Sequence, residues 1–143
     1  HIKLEWGRDA PKIPTEGWGL TFCNGLLWLS DGSSEIFKVS PEDFRYIGSL
    51  KVQDSGKPLP YLNELECIDG TIYANIWQSD SIAVIDIKNG NILKYLDFST
   101  LAQKTRKKFP KAEVLNGIAY DGKFLWITGK WWPFIYKIIL DKN

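Results

Sequence analysis

The sequence predicts an all-β protein, a β-propeller built from four-stranded antiparallel blades. Three observations carry that prediction. A strand–turn–strand unit recurs three times along the 143 residues. Further strand-like runs follow each copy, at the roughly 40–50-residue period of a propeller blade. Aromatic residues make up 14% of the chain, and aromatic side chains favour strands.

The elements follow in order. Ile2 to Trp6 reads as a lone strand, so residues 1–9 suit the outer strand of a preceding blade. The first full blade covers residues 16–53. It starts with GWGLTFCNGLLWLSDG, Gly17 to Gly32, and continues through Glu35–Val39 and Arg45–Val52. The second blade covers 61–98 and starts with LNELECIDGTIYANIW, Leu62 to Trp77. There, strands Leu62–Ile68 and Thr71–Ile76 flank Asp69-Gly70. Asp-Gly between apolar runs marks a hairpin, because a primed turn needs positive φ at both central positions. Ser81–Ile87 and Ile92–Phe98 complete the blade, joined by the turn residues Lys88-Asn89-Gly90-Asn91.

Residues 99–113 read as a basic loop or short helix. Ser99 or Thr100 could cap such a helix. Lys104 to Lys111 holds five basic residues, which suit either an anion site or a solvated loop open to proteolysis. The last blade covers 114–143. It starts with LNGIAYDGKFLWITGK, Leu115 to Lys130, has Phe134–Leu140 as its third strand and lacks an outer strand. Its turn comes one residue early, with compensation expected inside its second strand.

Three blades cannot close a ring, since closed propellers typically have about four to eight. The chain starts at His1, with neither an initiator Met nor a signal sequence. We therefore expect a processed or partial chain, completed by a companion chain or segment that carries the remaining blades. Standing open, it would expose apolar faces and unpaired edges.

Hydrophobic residues at 44% and charged residues at 24% mark globular material. A net charge of +1 provides no general attraction for nucleic acid or acidic lipid. No apolar run reaches the length of a membrane span. Neither nucleic acid nor membrane insertion is therefore expected. Cys23 and Cys67 match no zinc spacing. They are expected as two buried free thiols, the alternative being a disulfide formed in an oxidising compartment.

The repeat also locates a candidate site. Trp18, Asn63 and Asn116 each open the innermost strand of a blade, and Gly32, Trp77 and Lys130 each end the second strand, always 14 residues later. In an antiparallel pair the start of one strand lies near the end of the next. All six positions should therefore gather on one face near the central channel, with Gly32 leaving space there. Indoles supply rigid walls. Asn and Lys donors can hold a carbonyl oxygen and stabilise charge that develops on it.

Each residue has a plainer explanation. Blade tryptophans often pack between blades, and mid-strand Trp28 and Trp126 are assigned to the core. Asn favours turns, and a lone Lys is usually solvated. Those explanations leave the shared face unaccounted for. Glu64 and Glu66 are possible catalytic carboxylates, but their faces stay open at this point. His1 is terminal and a poor candidate base. The sequence contains no Ser-His-Asp set, metal cluster or phosphate loop.

Six motifs resemble the glutamine cyclotransferases of plant and bacterial type. They are EGWGLT (Glu16 to Thr21), SDGS (Ser30 to Ser33), LNELE (Leu62 to Glu66), YANIWQSDSIAVID (Tyr73 to Asp86), LNGIAYD (Leu115 to Asp121) and TGKWWP (Thr128 to Pro133). The resemblance implies a five-bladed propeller that converts the N-terminal glutamine of a peptide to pyroglutamate and releases ammonia, without metal or cofactor. By motif, Trp18 and Trp77 would line the substrate pocket, joined by Asn116 from the repeat, and Asn63 and Lys130 would act on the reacting groups. The family's general acid/base glutamate and a pocket glutamine belong to earlier blades, so this chain alone is expected to be inactive. The rival expectation is a non-catalytic propeller that binds peptide N-termini or scaffolds a complex. The resemblance also implies a secretory or extracellular location, although no N-x-Ser/Thr sequon is present.

Overall fold

The structure, a computed structural model, describes residues 15–140. The expected strand at Ile2–Trp6 lies outside the described residues. Strands β1 (Gly19–Cys23), β2 (Leu26–Ser30), β3 (Glu35–Val39) and β4 (Tyr46–Lys51) form a four-stranded antiparallel meander. A two-stranded hairpin, β5 (Gln53–Asp54) and β6 (Lys57–Pro58), leads to the second meander and is not among the elements expected from the sequence, although Ser55-Gly56 is a turn pair. The second meander is β7 (Leu62–Ile68), β8 (Thr71–Ile76), β9 (Ser81–Ile85) and β10 (Ile92–Asp97). Helix α1 (Ser99–Lys108) follows, then the three-stranded sheet β11 (Leu115–Tyr120), β12 (Leu125–Gly129) and β13 (Tyr136–Ile138). The first strands of the sheets, β1, β7 and β11, pack side by side, which is the propeller-like arrangement.

Local chemistry sets the hairpins. Asn24 and Gly25 have φ of 49° and 80°, and Asp69 and Gly70 have 50° and 75°. Both pairs take the left-handed conformation that a primed turn requires. The third hairpin differs. Ile68 pairs with Thr71 across two residues, whereas Tyr120 pairs with Leu125 across four. The early turn of the third copy is thus absorbed by a longer loop, Asp121–Phe124, and not within the second strand. In that loop the Asp121 carboxylate accepts hydrogen bonds from the backbone N–H groups of Lys123 and Phe124.

The core lies between sheets. Trp28, Ile36 and Leu50 of the first sheet, with Val52 just after it, meet Leu62, Leu65, Ile72 and Ile85 of the second. On its other face the second sheet sets Ile68, Tyr73, Ile82 and Val84 against Leu115, Ile118, Leu125 and Ile127, with Ala102 of α1. The middle sheet is therefore covered on both faces, and Ile72 to Asn75 of β8 are all buried. Full burial of one Leu or Ile side chain is worth about 1.5–3 kcal/mol.

Three local expectations need correction. Cys23 and Cys67 are not free thiols but form a disulfide with Cα atoms 5.5 Å apart. They meet because β1 and β7 are neighbours, and the Cys67 N–H also donates to Thr21 Oγ1 at 3.1 Å. Trp28 is buried, as a core residue should be, but Trp126 is only half-buried. Trp126 Nε1 donates to the Asp121 carboxylate at 2.8 Å, and Lys137 Nζ lies 5.7 Å from its ring. Neither Ser99 nor Thr100 caps α1. Phe98 holds the cap position without a side-chain bond, and Asp97 accepts the Ser99 N–H at 2.8 Å. Strand β10 runs almost directly into the helix, so the acceptor comes from the end of the strand.

Of the five basic residues around α1, Arg106 is neutralised by a two-pronged contact with Asp80. Lys104, Lys107, Lys108 and Lys111 are exposed. Arg106, Lys107 and Lys108 occupy the last turn, where positive charge suits the helix dipole. Among the described residues no helix is long and apolar enough to cross a membrane.

Candidate active site

Two β-bulges shape one rim of the sheets. In β7 the register shifts between Leu62 and Leu65, and in β11 between Leu115 and Ile118. Asn63 and Asn116 sit in those two irregularities. A bulge turns side chains out of regular alternation and commonly lies beside functional sites. Each one is held by the preceding sheet. Ser30, fully buried at the end of β2, donates its hydroxyl to the Asn63 carbonyl oxygen at 2.5 Å. Asn75 occupies the corresponding place in β8, is also fully buried, and its Oδ1 accepts the Gly117 N–H at 2.9 Å. Gly117 has φ of 134°, and a Cβ there would lie 2.7 Å from Thr128 Cγ2, so the second bulge requires glycine. Sequence reasoning missed both Ser30 and Asn75. The only available signal was a polar residue inside an otherwise apolar strand.

The aromatic part of the rim gathers around Gly32. The Trp18 and Trp77 ring centroids are 5.9 Å apart, edge to face, and Tyr61 lies 5.9 Å from Trp77. The backbone ties them together. The Gly32 N–H donates to Leu62 O at 3.1 Å, Tyr61 N–H to Gly32 O at 2.8 Å, and Trp77 N–H to Tyr61 O at 2.8 Å. Gly32 does not leave an open space, as its missing side chain suggested. A Cβ there would come 2.7 Å from the Trp18 ring, so the indole fills that volume. Trp77 stays 42% exposed, which leaves part of its surface available.

Asn116 and Lys130 lie at the corresponding end of the third sheet. Asn116 Oδ1 is buried and has no hydrogen-bond partner among the described residues. Lys130 is exposed, and its Nζ stands 3.1 Å from Glu113 Oε2. The backbone around it is clamped, since Lys130 N–H donates to Val114 O at 2.9 Å and Glu113 N–H to Lys130 O at 2.8 Å. Glu113 is a further residue that sequence reasoning did not single out. Thus Trp18, Trp77 and the Asn63 bulge sit together, and the ends of the third sheet carry Asn116 and Lys130.

The faces of the two glutamates are now resolved. Leu65 is fully buried against the first sheet, so Glu66 points the other way, toward the Tyr120 backbone, and the Glu64 carboxyl, which feels the Glu66 charge, lies on that side too. Burial, and secondarily the Glu66 charge, push the Glu64 carboxyl above the ordinary glutamate range. Burial raises Glu66 as well, against a backbone hydrogen bond from Tyr120 that pulls it down. A raised folded-state pKa means stability that is complete below the unfolded pKa and lost as pH rises through the folded one. Glu64→Gln is therefore expected to raise Tm by about 1–3 °C at neutral pH, with the gain vanishing near pH ~4, below the unfolded glutamate pKa. Thermal unfolding at both pH values checks this, and an equal shift at both would exclude ionisation as the cause. Among the described residues no three His, Cys, Asp or Glu side chains gather into a metal-holding group.

This architecture has counterparts in known proteins. The glutamine cyclotransferase family model matches residues 6–140. The glutaminyl-peptide cyclotransferase of Arabidopsis thaliana is 39% identical over 130 residues, covering 89% of this chain and 41% of that protein. The crystal structure of Myxococcus xanthus glutaminyl cyclase superposes with a TM-score of 0.81 at 36% identity, covering 91% of this chain and 59% of that one. Hydrazine synthase of Kuenenia stuttgartiensis shares the fold alone, with a TM-score of 0.57 at 17% identity over 93% of this chain and 36% of that one. The chain thus spans well under two thirds of the length of both glutaminyl cyclases. With the family matched from residue 6 to residue 140, this chain belongs to the glutamine cyclotransferase family.

Proposed function

We propose that the chain forms about three blades of a five-bladed propeller that cyclises the N-terminal glutamine of peptides to pyroglutamate and releases ammonia, without metal. The observation that carries this reading is the rim where the Trp18–Trp77 pair stands beside the braced Asn63 bulge, in a chain of this family. The two indoles, together with Asn116 from the third sheet, would hold the folded glutamine side chain. Holding both reacting groups of one residue together converts chain flexibility into reactive geometry. The neutral α-amine attacks the side-chain carboxamide carbon, and a new C–N bond forms. Asn63 and Lys130 donate to the carbonyl oxygen as it gains negative charge. The carboxamide C–N bond then breaks, and a proton lost by the attacking amine leaves on ammonia. A glutamate on a companion segment would carry that proton.

The exposed faces support a companion segment. Gly19, Thr21 and Cys23 of β1 are buried, with Thr21 and Cys23 turned to β7, whereas Leu20 and Phe22 are 56% and 60% exposed. Ile135 and Ile139, which flank β13, are also largely exposed. Exposed apolar side chains at both outer sheets favour a further packing partner. The Cys23–Cys67 disulfide supports an oxidising, secretory or extracellular compartment.

The test is ammonia release from a Gln-initiated peptide by the complete propeller, compared with this 143-residue chain alone. The complete assembly is expected to turn over, the isolated chain to be inactive, and Trp77→Ala in the assembly to lower kcat/KM about tenfold. Full activity from the isolated chain would refute the companion segment. Tight binding of the peptide by the assembly without ammonia release would favour the non-catalytic reading instead.

A further inference from the structure

Beside Lys130 lies a cleft that ring closure itself does not use. Lys108, Phe109, Pro110 and Lys111 line it from the end of α1, and Trp131 and Pro133 line it from the β12–β13 loop. Its volume is about 400 Å³, within the range of small-molecule and side-chain sites. Both walls are continuous with the candidate active site. Trp131 directly follows Lys130, and Glu113, two residues beyond Lys111, pairs with Lys130 Nζ at 3.1 Å.

Trp131 is an unusual residue for its position. Its φ is 61°, and Gln78, which follows Trp77 in the second sheet, has a φ of 62°. The same left-handed turn thus ends the second strand of both sheets. Glycine or asparagine suits such a turn, and a bulky side chain strains it. Burial does not offset that strain, because the Trp131 indole is 69% exposed, whereas its neighbour Trp132 is buried and bonds to the Glu113 carbonyl. Strain of this kind is concentrated where function requires a particular side chain. The surroundings of the indole are rigid. Pro110 and Pro133 have fixed φ, and Phe109 packs edge to face on Phe134 at 5.0 Å. Lys108 Nζ sits 5.6 Å and 5.8 Å from those two rings, and Lys111 is exposed.

We propose that this cleft is the subsite for the two residues that follow the N-terminal glutamine, and that it selects an aromatic side chain followed by an acidic one. The proposal rests on the cyclotransferase reading above. An extended peptide advances roughly 3.3–3.6 Å per residue and its side chains alternate in direction, so a chain running from Lys130 along the cleft would turn its second side chain to the Trp131 wall and its third to the Lys108 and Lys111 wall. An aromatic ring lies against the Trp131 indole between the two prolines. A carboxylate meets the ammonium groups of Lys108 and Lys111.

The experiment measures ammonia release by the complete enzyme from Gln-Phe-Glu, Gln-Ala-Ala and Gln-Phe-Lys peptides. Gln-Phe-Glu is expected to exceed Gln-Ala-Ala in kcat/KM by about tenfold or more. Trp131→Gly, which accommodates the left-handed turn, should bring that ratio down to about 1–2. Lys111→Glu alters an exposed side chain and tests the cleft independently of how Trp131→Gly folds. It should reverse the preference between Gln-Phe-Glu and Gln-Phe-Lys. Equal kcat/KM for the three peptides, or ratios that both variants leave unchanged, would overturn the subsite while the cyclotransferase reading stands. Absence of ammonia from every peptide would overturn that reading and the subsite with it.

Discussion

Lys130→Ala is expected to lower kcat of the complete enzyme on an N-terminal glutamine peptide by about 10²–10³-fold, with KM changed by less than about threefold. The reason lies in when the ammonium acts. A neutral carboxamide needs little from it, but the tetrahedral intermediate puts negative charge on oxygen. A donor aimed at developing charge is therefore felt in the rate more than in binding. The substitution should leave the fold alone. Lys130 is exposed, and its place is fixed by backbone bonds to Val114 and Glu113 that alanine retains. Its ion pair with Glu113 is also exposed, and such pairs contribute only about 0–1 kcal/mol to stability. Lys130→Arg, which keeps the charge, should recover part of the rate. Steady-state kinetics with a thermal-unfolding control decides the matter, and an unchanged kcat in a folded Lys130→Ala enzyme would remove Lys130 from the chemistry.

Removing the disulfide should have the largest effect on stability. The paired change Cys23→Ala with Cys67→Ala is expected to cost about 4 kcal/mol, the chain-entropy value for a cross-link across this length of chain. The two cysteines are 44 residues apart and join the first strands of two different sheets. Without the bond, the unfolded chain regains the freedom of that loop, while the folded sheets lose a tie at the hairpin-turn end of β1 and β7, the end away from the rim. The Cys67 N–H bond to Thr21, the Ser30 bond to Asn63 and the core between the sheets still hold the interface, so the fold should survive in weakened form. Denaturant titration of the paired variant measures the loss. A loss below about 1 kcal/mol would mean that packing alone sets the spacing of these sheets.

Much of the fold was legible because it is local. The hairpin Leu62–Ile68 and Thr71–Ile76 appears at its predicted bounds, since Asp69-Gly70 leaves the backbone few alternatives. Strand β3 likewise coincides with Glu35–Val39. The repeat located Trp18, Asn63, Trp77, Asn116 and Lys130 by position, because strand ends in equivalent hairpins must lie at one rim. What misled the reading depended on a neighbouring strand or sheet. Trp126 looked like a core residue by its mid-strand place, yet β13 leaves its ring at the edge with Lys137.

The sequence by itself therefore determined the strands of the three repeated units, the turns of the first two, their threefold recurrence and the resemblance to the family. Each depends on residues close together in the chain or on motifs read in order. Only the tertiary structure decided which groups meet between sheets. It joined Cys23 to Cys67, filled the space at Gly32 with Trp18, and braced the bulges at Asn63 and Asn116 with Ser30 and Asn75. It also turned Glu64 and Glu66 away from Leu65 and opened the cleft beside Lys130. The physical reason is that a strand's own pattern specifies its two faces, whereas the approach of the next sheet depends on how both cores pack together.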